Sequence, residues 1–99
     1  MDQEYFPAVV QALAGENFTV YAYFSDGNIR HFDMKPLIQK GGVFAPLTDE
    51  AVFQSALTVL NDTIAWDLTG RYDPTQCIDI DPFVVYKGEP VSDPMEAGA

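Results

Sequence analysis

Alternating apolar and polar positions run from Phe18 to Asp33, FTVYAYFSDGNIRHFD, and predict two antiparallel strands joined at Asp26-Gly27. A two-residue type I′ turn needs positive φ at both central residues, which Gly tolerates freely and Asp better than most. With those two as the loop, Phe24 faces Ile29, Tyr23 faces Arg30, Ala22 faces His31 and Tyr21 faces Phe32. Side chains alternate across a strand, so this register sets Val20, Ala22, Phe24, Ile29 and His31 on one face and Tyr21, Tyr23, Arg30 and Phe32 on the other. The first face is apolar enough to be core. The second is an amphipathic surface suited to burial under another element or to a partner. A one-residue slip would exchange these faces, so the turn matters more than the strand ends.

Residues 5 to 13, YFPAVVQAL, fit a strand that makes a meander with this hairpin, turning at Gly15-Glu16-Asn17; the Ala-rich end keeps a helix as the alternative. Beyond the hairpin, Asp33 and Pro36 predict a short helix over 34 to 40, stopped by Gly41-Gly42. Val43 to Leu47 reads as an extended connector broken by Pro46. Thr48-Asp49-Glu50 then opens a helix over 49 to 56, with Val52, Phe53 and Ala56 on its core side. A second hairpin is expected over 57 to 67 with its turn at Asn61-Asp62, and Gly70 and Asp73-Pro74 mark a loop from 67 to 76. Cys77 to Ile80 is a short strand, and Asp81-Pro82 caps a short helix through Tyr86 against the preference of Val84-Val85. The expected fold is α+β: an antiparallel sheet of about five or six strands with two or three short helices, in a single domain over 1-88. Residues 89-99, rich in Gly, Pro, Ser and acid, read as a disordered acidic tail.

Charge changes the picture more than composition does. Fifteen acids against five bases give a formal net charge of -10 over 99 residues, which disfavours nucleic acid and anionic membranes and suits a basic protein partner. No stretch has the length of a membrane-spanning helix and the first residues lack the basic region of a signal peptide, so a cytoplasmic location is expected. The single cysteine, Cys77, cannot form an internal disulfide and fits a reducing compartment.

The order of several short motifs resembles one family. Phe24-Ser25-Asp26-Gly27, then Phe32-Asp33-Met34 with Leu37, the Phe44 to Leu47 connector with Asp49 and Phe53, Ile64 with Trp66, and Ile78-Asp79-Ile80-Asp81-Pro82 with Tyr86 together resemble the bacterial domain-of-unknown-function family numbered 2442. The resemblance covers roughly residues 5 to 90 and implies a compact α+β domain with no established activity. Some relatives carry a fused helix-turn-helix module and some are encoded beside a small partner protein, in arrangements resembling toxin-antitoxin pairs. No helix-turn-helix segment is present in this chain, so the resemblance implies no DNA binding. The stretch Phe83-Val84-Val85 departs from the more polar family pattern, and the family supplies no catalytic residue to carry over.

Each candidate for chemistry has a plain structural explanation beside it. His31 is the one histidine and has Asp33 two residues on, which invites a His-Asp pair, yet no Ser or Cys stands at a nucleophile elbow; a strand histidine bonded to a neighbour is the simpler account. Asp79 and Asp81, with Asp67 and Asp73 near, suggest a metal or small-molecule sensor, but no Gly-centred calcium loop is present and Asp81 has a duller use as a cap. Acidic neighbours would raise the Cys77 pKa and suit a small buried hydrophobe. Gly41-Gly42 lacks the Lys of a phosphate loop, and Trp66 reads as core. The expectation is therefore a non-enzymatic, acidic protein-binding module, adaptor or antitoxin-like, binding through Tyr21, Tyr23, Arg30 and Phe32, with neither metal nor cofactor. Homodimerisation through a sheet edge is a further expectation.

Overall fold

The computed structural model describes residues 7–68 and 77–93. The described strands are β1 (Val9–Ala14), β2 (Thr19–Phe24), β3 (Ile29–Asp33), β4 (Leu57–Leu60), β5 (Thr63–Asp67), β6 (Cys77–Asp79) and β7 (Glu89–Pro90). The helices are α1 (Lys35–Lys40), α2 (Glu50–Ala56) and α3 (Pro82–Tyr86), with a 3-10 segment over Gly42–Thr48. The class is α+β and every pairing is antiparallel. The strands divide into two sheets, β1-β2-β3-β7 and β4-β5-β6, rather than forming one. Val9 N–H donates to the Asp62 carbonyl at 2.8 Å and ties the first sheet to the β4–β5 turn.

The meander exists, and its β2–β3 hairpin takes a different turn from the one expected. Gly27 has φ 91 while Asp26 keeps an ordinary φ. Gly27 N–H donates to the Phe24 carbonyl (3.0 Å) and Phe24 N–H to the Asn28 carbonyl (2.8 Å), so the loop is the three residues Ser25, Asp26 and Gly27. Such a loop needs positive φ at one residue only, and Gly supplies it. The Asp26 carboxylate accepts from the Asn28 main-chain N–H at 2.9 Å and from the Tyr86 hydroxyl at 2.7 Å, which holds the residue in an Asx turn. The type I′ geometry appears instead at Asn61 (φ 53) and Asp62 (φ 65), where Leu60 pairs with Thr63.

The longer loop moves the register of β3 by one residue. Tyr23 pairs with Ile29, Ala22 with Arg30, Tyr21 with His31 and Val20 with Phe32. Arg30 and Phe32 therefore lie on the Val20/Ala22/Phe24 side, and Ile29 and His31 on the tyrosine side.

The helices follow their caps. Asp49 accepts from Ala51 N–H at 3.0 Å and Asp81 from Phe83 N–H at 2.9 Å. Asp33 accepts from Lys35 N–H at 2.9 Å, one residue ahead of the Met34 cap position. α3 forms despite Val84 and Val85, because Asp81, Pro82 and the burial of Val85 outweigh a small β-branched penalty. The Val43 to Leu47 connector is not extended: it winds into the 3-10 segment, which brings Leu47 into the core. Residues 89 to 93 correct the tail expectation. Glu89 pairs with His31 and Pro90 with Arg30, and Val91 N–H donates to the Ile29 carbonyl at 3.0 Å. Residues 1–6, 69–76 and 94–99, including Asp73 and the rest of the expected tail, lie outside the described residues.

Val9, Val20, Ala22 and Phe24 from the first sheet meet Ile64, Trp66 and Ile78 from the second, with Met34, Ile38, Leu47, Phe53 and Val85 closing the core. Trp66 is fully buried and donates its indole N–H to the Phe53 carbonyl at 3.0 Å. The Phe53 ring also meets Phe18 edge-on at 5.4 Å. Burial on this side leaves the opposite face of β1-β2-β3-β7 for other uses.

Candidate functional site

The face turned away from the core is built by the register. Leu13 pairs with Tyr21 and Gln11 with Tyr23 across β1–β2; His31 and Ile29 follow on β3, and Glu89 opposite His31 on β7. Tyr21, Tyr23, Ile29 and His31 are each partly exposed. The rings of Tyr21 and His31 stack at 4.6 Å and 27°. Tyr23 donates its hydroxyl to Asp93 Oδ1 at 2.7 Å. Three carboxylates thus surround the tyrosines: Asp33 two residues beyond His31, Glu89 across from it, and Asp93 on Tyr23.

Of the four residues expected to share this face, Tyr21 and Tyr23 do and Arg30 and Phe32 do not. The one-residue longer loop is the cause. Phe32 packs against the core. Arg30 lies with its guanidinium 4.3 Å from the Tyr86 ring centre and donates from Nη1 to the Gly88 carbonyl at 3.2 Å, while its Nε is buried without a hydrogen-bond partner. Arg30 fastens the end of α3 to β3. Asn28 joins the same fastening by donating to the Tyr86 hydroxyl at 3.0 Å.

Beside Tyr21 the surface dips into an open cleft of about 640 Å³, lined by Glu16, Asn17, Tyr21, His31, Lys35 and Gln54 among others. The β1–β2 loop shapes one wall, with Asn17 at φ 56 and Phe18 at φ 61. Gly15 is required there because a Cβ would collide with Thr19 Oγ1 and come within 3.1 Å of the Tyr21 ring. Lys35 Nζ lies 3.1 Å from Asp33 Oδ1 and donates to the Asn17 carbonyl at 3.0 Å. The Asp33 pKa is held below the ordinary carboxylate value, first by the Lys35 main-chain N–H; slight burial opposes this, and the Lys35 side chain and His31 add to it.

His31 faces Tyr21 rather than Ala22, and Asp33 falls on its side of the strand with its carboxylate engaged by Lys35. Among the acidic positions considered for a cation, Asp79 is exposed on β6, Asp67 pairs with Cys77 across β5–β6, and Asp81 caps α3. Among the described residues no three His, Cys, Asp or Glu side chains gather as a metal site. Cys77 is half-buried. Glu89 and Asp93 are site residues that composition hid inside an apparent tail. Glu89, Val91 and Asp93 recur at every second position, which puts all three on one side of an extended segment, and the segment carries no apolar/polar alternation to mark it as a strand.

The family model for DUF2442, described as a protein of unknown function, matches residues 9–91. The chain belongs to the DUF2442 family. The DUF2442 match ends at Val91, so residues 89 to 91, which run along β3, fall within the matched region. No curated protein and no solved structure matches the chain. Among the described residues no helix is long and apolar enough to cross a membrane.

Proposed function

We propose that this DUF2442 protein is a non-enzymatic binding module that docks a basic protein on the outer face of β1-β2-β3-β7, as a cytoplasmic adaptor or antitoxin-like partner. The supporting observation is the arrangement itself: Tyr21, Tyr23, Ile29 and His31 stand together away from the core, with Asp33, Glu89 and Asp93 around them. Tyrosine rings supply contact area at little entropic cost and attract cations through their faces, and carboxylates around them favour Lys and Arg over acidic competitors. The net charge of -10 speeds encounter with a basic partner over longer range.

The test is affinity capture from native lysate at low and high salt, with Tyr21→Ala and Tyr23→Ala beside the native chain. A basic protein captured at low salt should be lost at high salt, and each substitution should weaken the complex by about 1–2 kcal/mol, roughly five- to thirty-fold. A complex insensitive to salt and to both substitutions refutes this face as the docking site.

A further inference from the structure

The cleft beside Tyr21 opens on the tyrosine face, since Tyr21 and His31 belong to both. Its loop wall is preformed. Asn17 (φ 56) and Phe18 (φ 61) both hold the left-handed conformation that residues other than glycine rarely adopt. Three contacts keep them there: Lys35 Nζ donates to the Asn17 carbonyl at 3.0 Å, Met34 N–H donates to the Phe18 carbonyl at 3.0 Å, and the Phe18 ring meets Phe53 edge-on. A loop fixed in this way loses little freedom when a ligand enters.

The lining is rich in acceptors and its positive charge is already engaged. Lys35 is the one Lys or Arg among the lining residues, and its ammonium lies 3.1 Å from Asp33 Oδ1 as well as on the Asn17 carbonyl. Those two charges cancel. The carboxylate left over is that of Glu16, which is exposed and has no ion pair among the described residues. Asn17 and Gln54 add side-chain amide oxygens, the Gln54 N–H being directed to Glu50 at 3.5 Å. The stacked rings of Tyr21 and His31 form another wall. A carboxylate, two amide oxygens and a pair of flat rings match a flat cation with several donors and no acceptor, which is a guanidinium rather than an ammonium. Arg30 makes the same kind of contact inside this chain, with its guanidinium 4.3 Å from the Tyr86 ring centre and Nη1 donating to the Gly88 carbonyl.

We infer that the cleft receives an arginine side chain of the basic partner, with its guanidinium against the Tyr21–His31 rings and donating to Glu16, and that arginine is thereby selected over lysine at this position. The selection rests on the tyrosine face being the docking face. Long-range charge does not supply it, because a net charge of -10 attracts both cations alike. The discrimination lies in the flat rings and the acceptors of the cleft.

Two peptides of equal charge separate the cleft from bulk electrostatics: a pentapeptide with arginine at its centre and lysine at the other four positions, and its all-lysine counterpart. Each is titrated by NMR into the isotope-labelled full chain and into Glu16→Gln, a change at an exposed position. The arginine peptide should bind about three- to tenfold more tightly, with its largest shifts at the Gly15, Glu16 and Asn17 amides and the Gln54 side chain. Glu16→Gln should remove most of that advantage. Equal affinities in the native chain, an advantage that survives Glu16→Gln, or shifts centred away from the cleft overturn the assignment. Tyr23→Ala separates that failure from a failure of the docking face, because Tyr23 lies on the face and outside the cleft. Equal affinities that both weaken in Tyr23→Ala keep the face and remove the cleft. Peptides that bind without disturbing Tyr21 or Tyr23 remove both.

Discussion

Gly88→Ala tests how the C-terminal segment is seated. Gly88 has an ordinary backbone conformation, so Ala meets no φ penalty there; what it meets is main chain, His31 O at 2.8 Å and Val85 O at 3.1 Å. Neither oxygen is the end of a flexible side chain. Relief therefore requires either α3 or the Glu89 to Asp93 arm to move off β3, loosening the Arg30–Gly88 bond and the Val91–Ile29 bond together. Overpacking of this kind costs about 1–3 kcal/mol, which in a domain of this size lowers Tm by roughly 5–15 °C. Urea unfolding gives the free energy, and hydrogen exchange at the Val91 amide reports whether the arm stays docked. Gly27→Ala is the contrast: it has open space around it, and its φ of 91 makes the penalty conformational and local to the hairpin turn. A Gly88→Ala chain with native stability and a native-like slow Val91 amide would refute the seating described.

The remaining predictions probe register, caps and charge. Phe32→Ala should cost about 2 kcal/mol of folding stability, because Phe32 packs on the core, whereas Tyr21→Ala should cost less than half of that; equal costs in denaturant melts would contradict the one-residue register shift. Asp81→Ala should lose about 1 kcal/mol while Asp81→Asn stays close to native, since Asn caps a helix as well as Asp; a loss in both, restored in neither by the amide, would point away from capping. Asp33 has a lowered folded pKa, so its ionised form stabilises the fold above the unfolded value of about 3.9 and that contribution disappears as pH falls through the folded value. The stability gap between the native chain and Asp33→Asn should accordingly shrink as pH falls below about 4; a gap that keeps growing below that pH would contradict it.

Local chemistry made much of this protein legible from its residues. Asp33-Pro36, Asp49-Glu50 and Asp81-Pro82 announced three helix starts because a cap needs only neighbours in sequence, and the alternation around Asn61-Asp62 announced the second hairpin for the same reason. The order of these signals carried the family and the α+β class. What the chain alone left open depended on contacts across it. Whether Asp26-Gly27 makes a two- or three-residue loop turns on Asp26 being held by Tyr86, 60 residues away, and that choice moved Arg30 and Phe32 off the tyrosine face. The Val43 to Leu47 connector coils because Leu47 finds a core place that no local preference names. The Glu89 to Asp93 arm has the composition of a solvated tail and becomes a strand because β3 offers its edge and Tyr23 a hydroxyl. Sequence determines the elements through short-range bonds; tertiary structure decides the register, and with it which side chains meet solvent, because one residue of slip in a strand reverses every face.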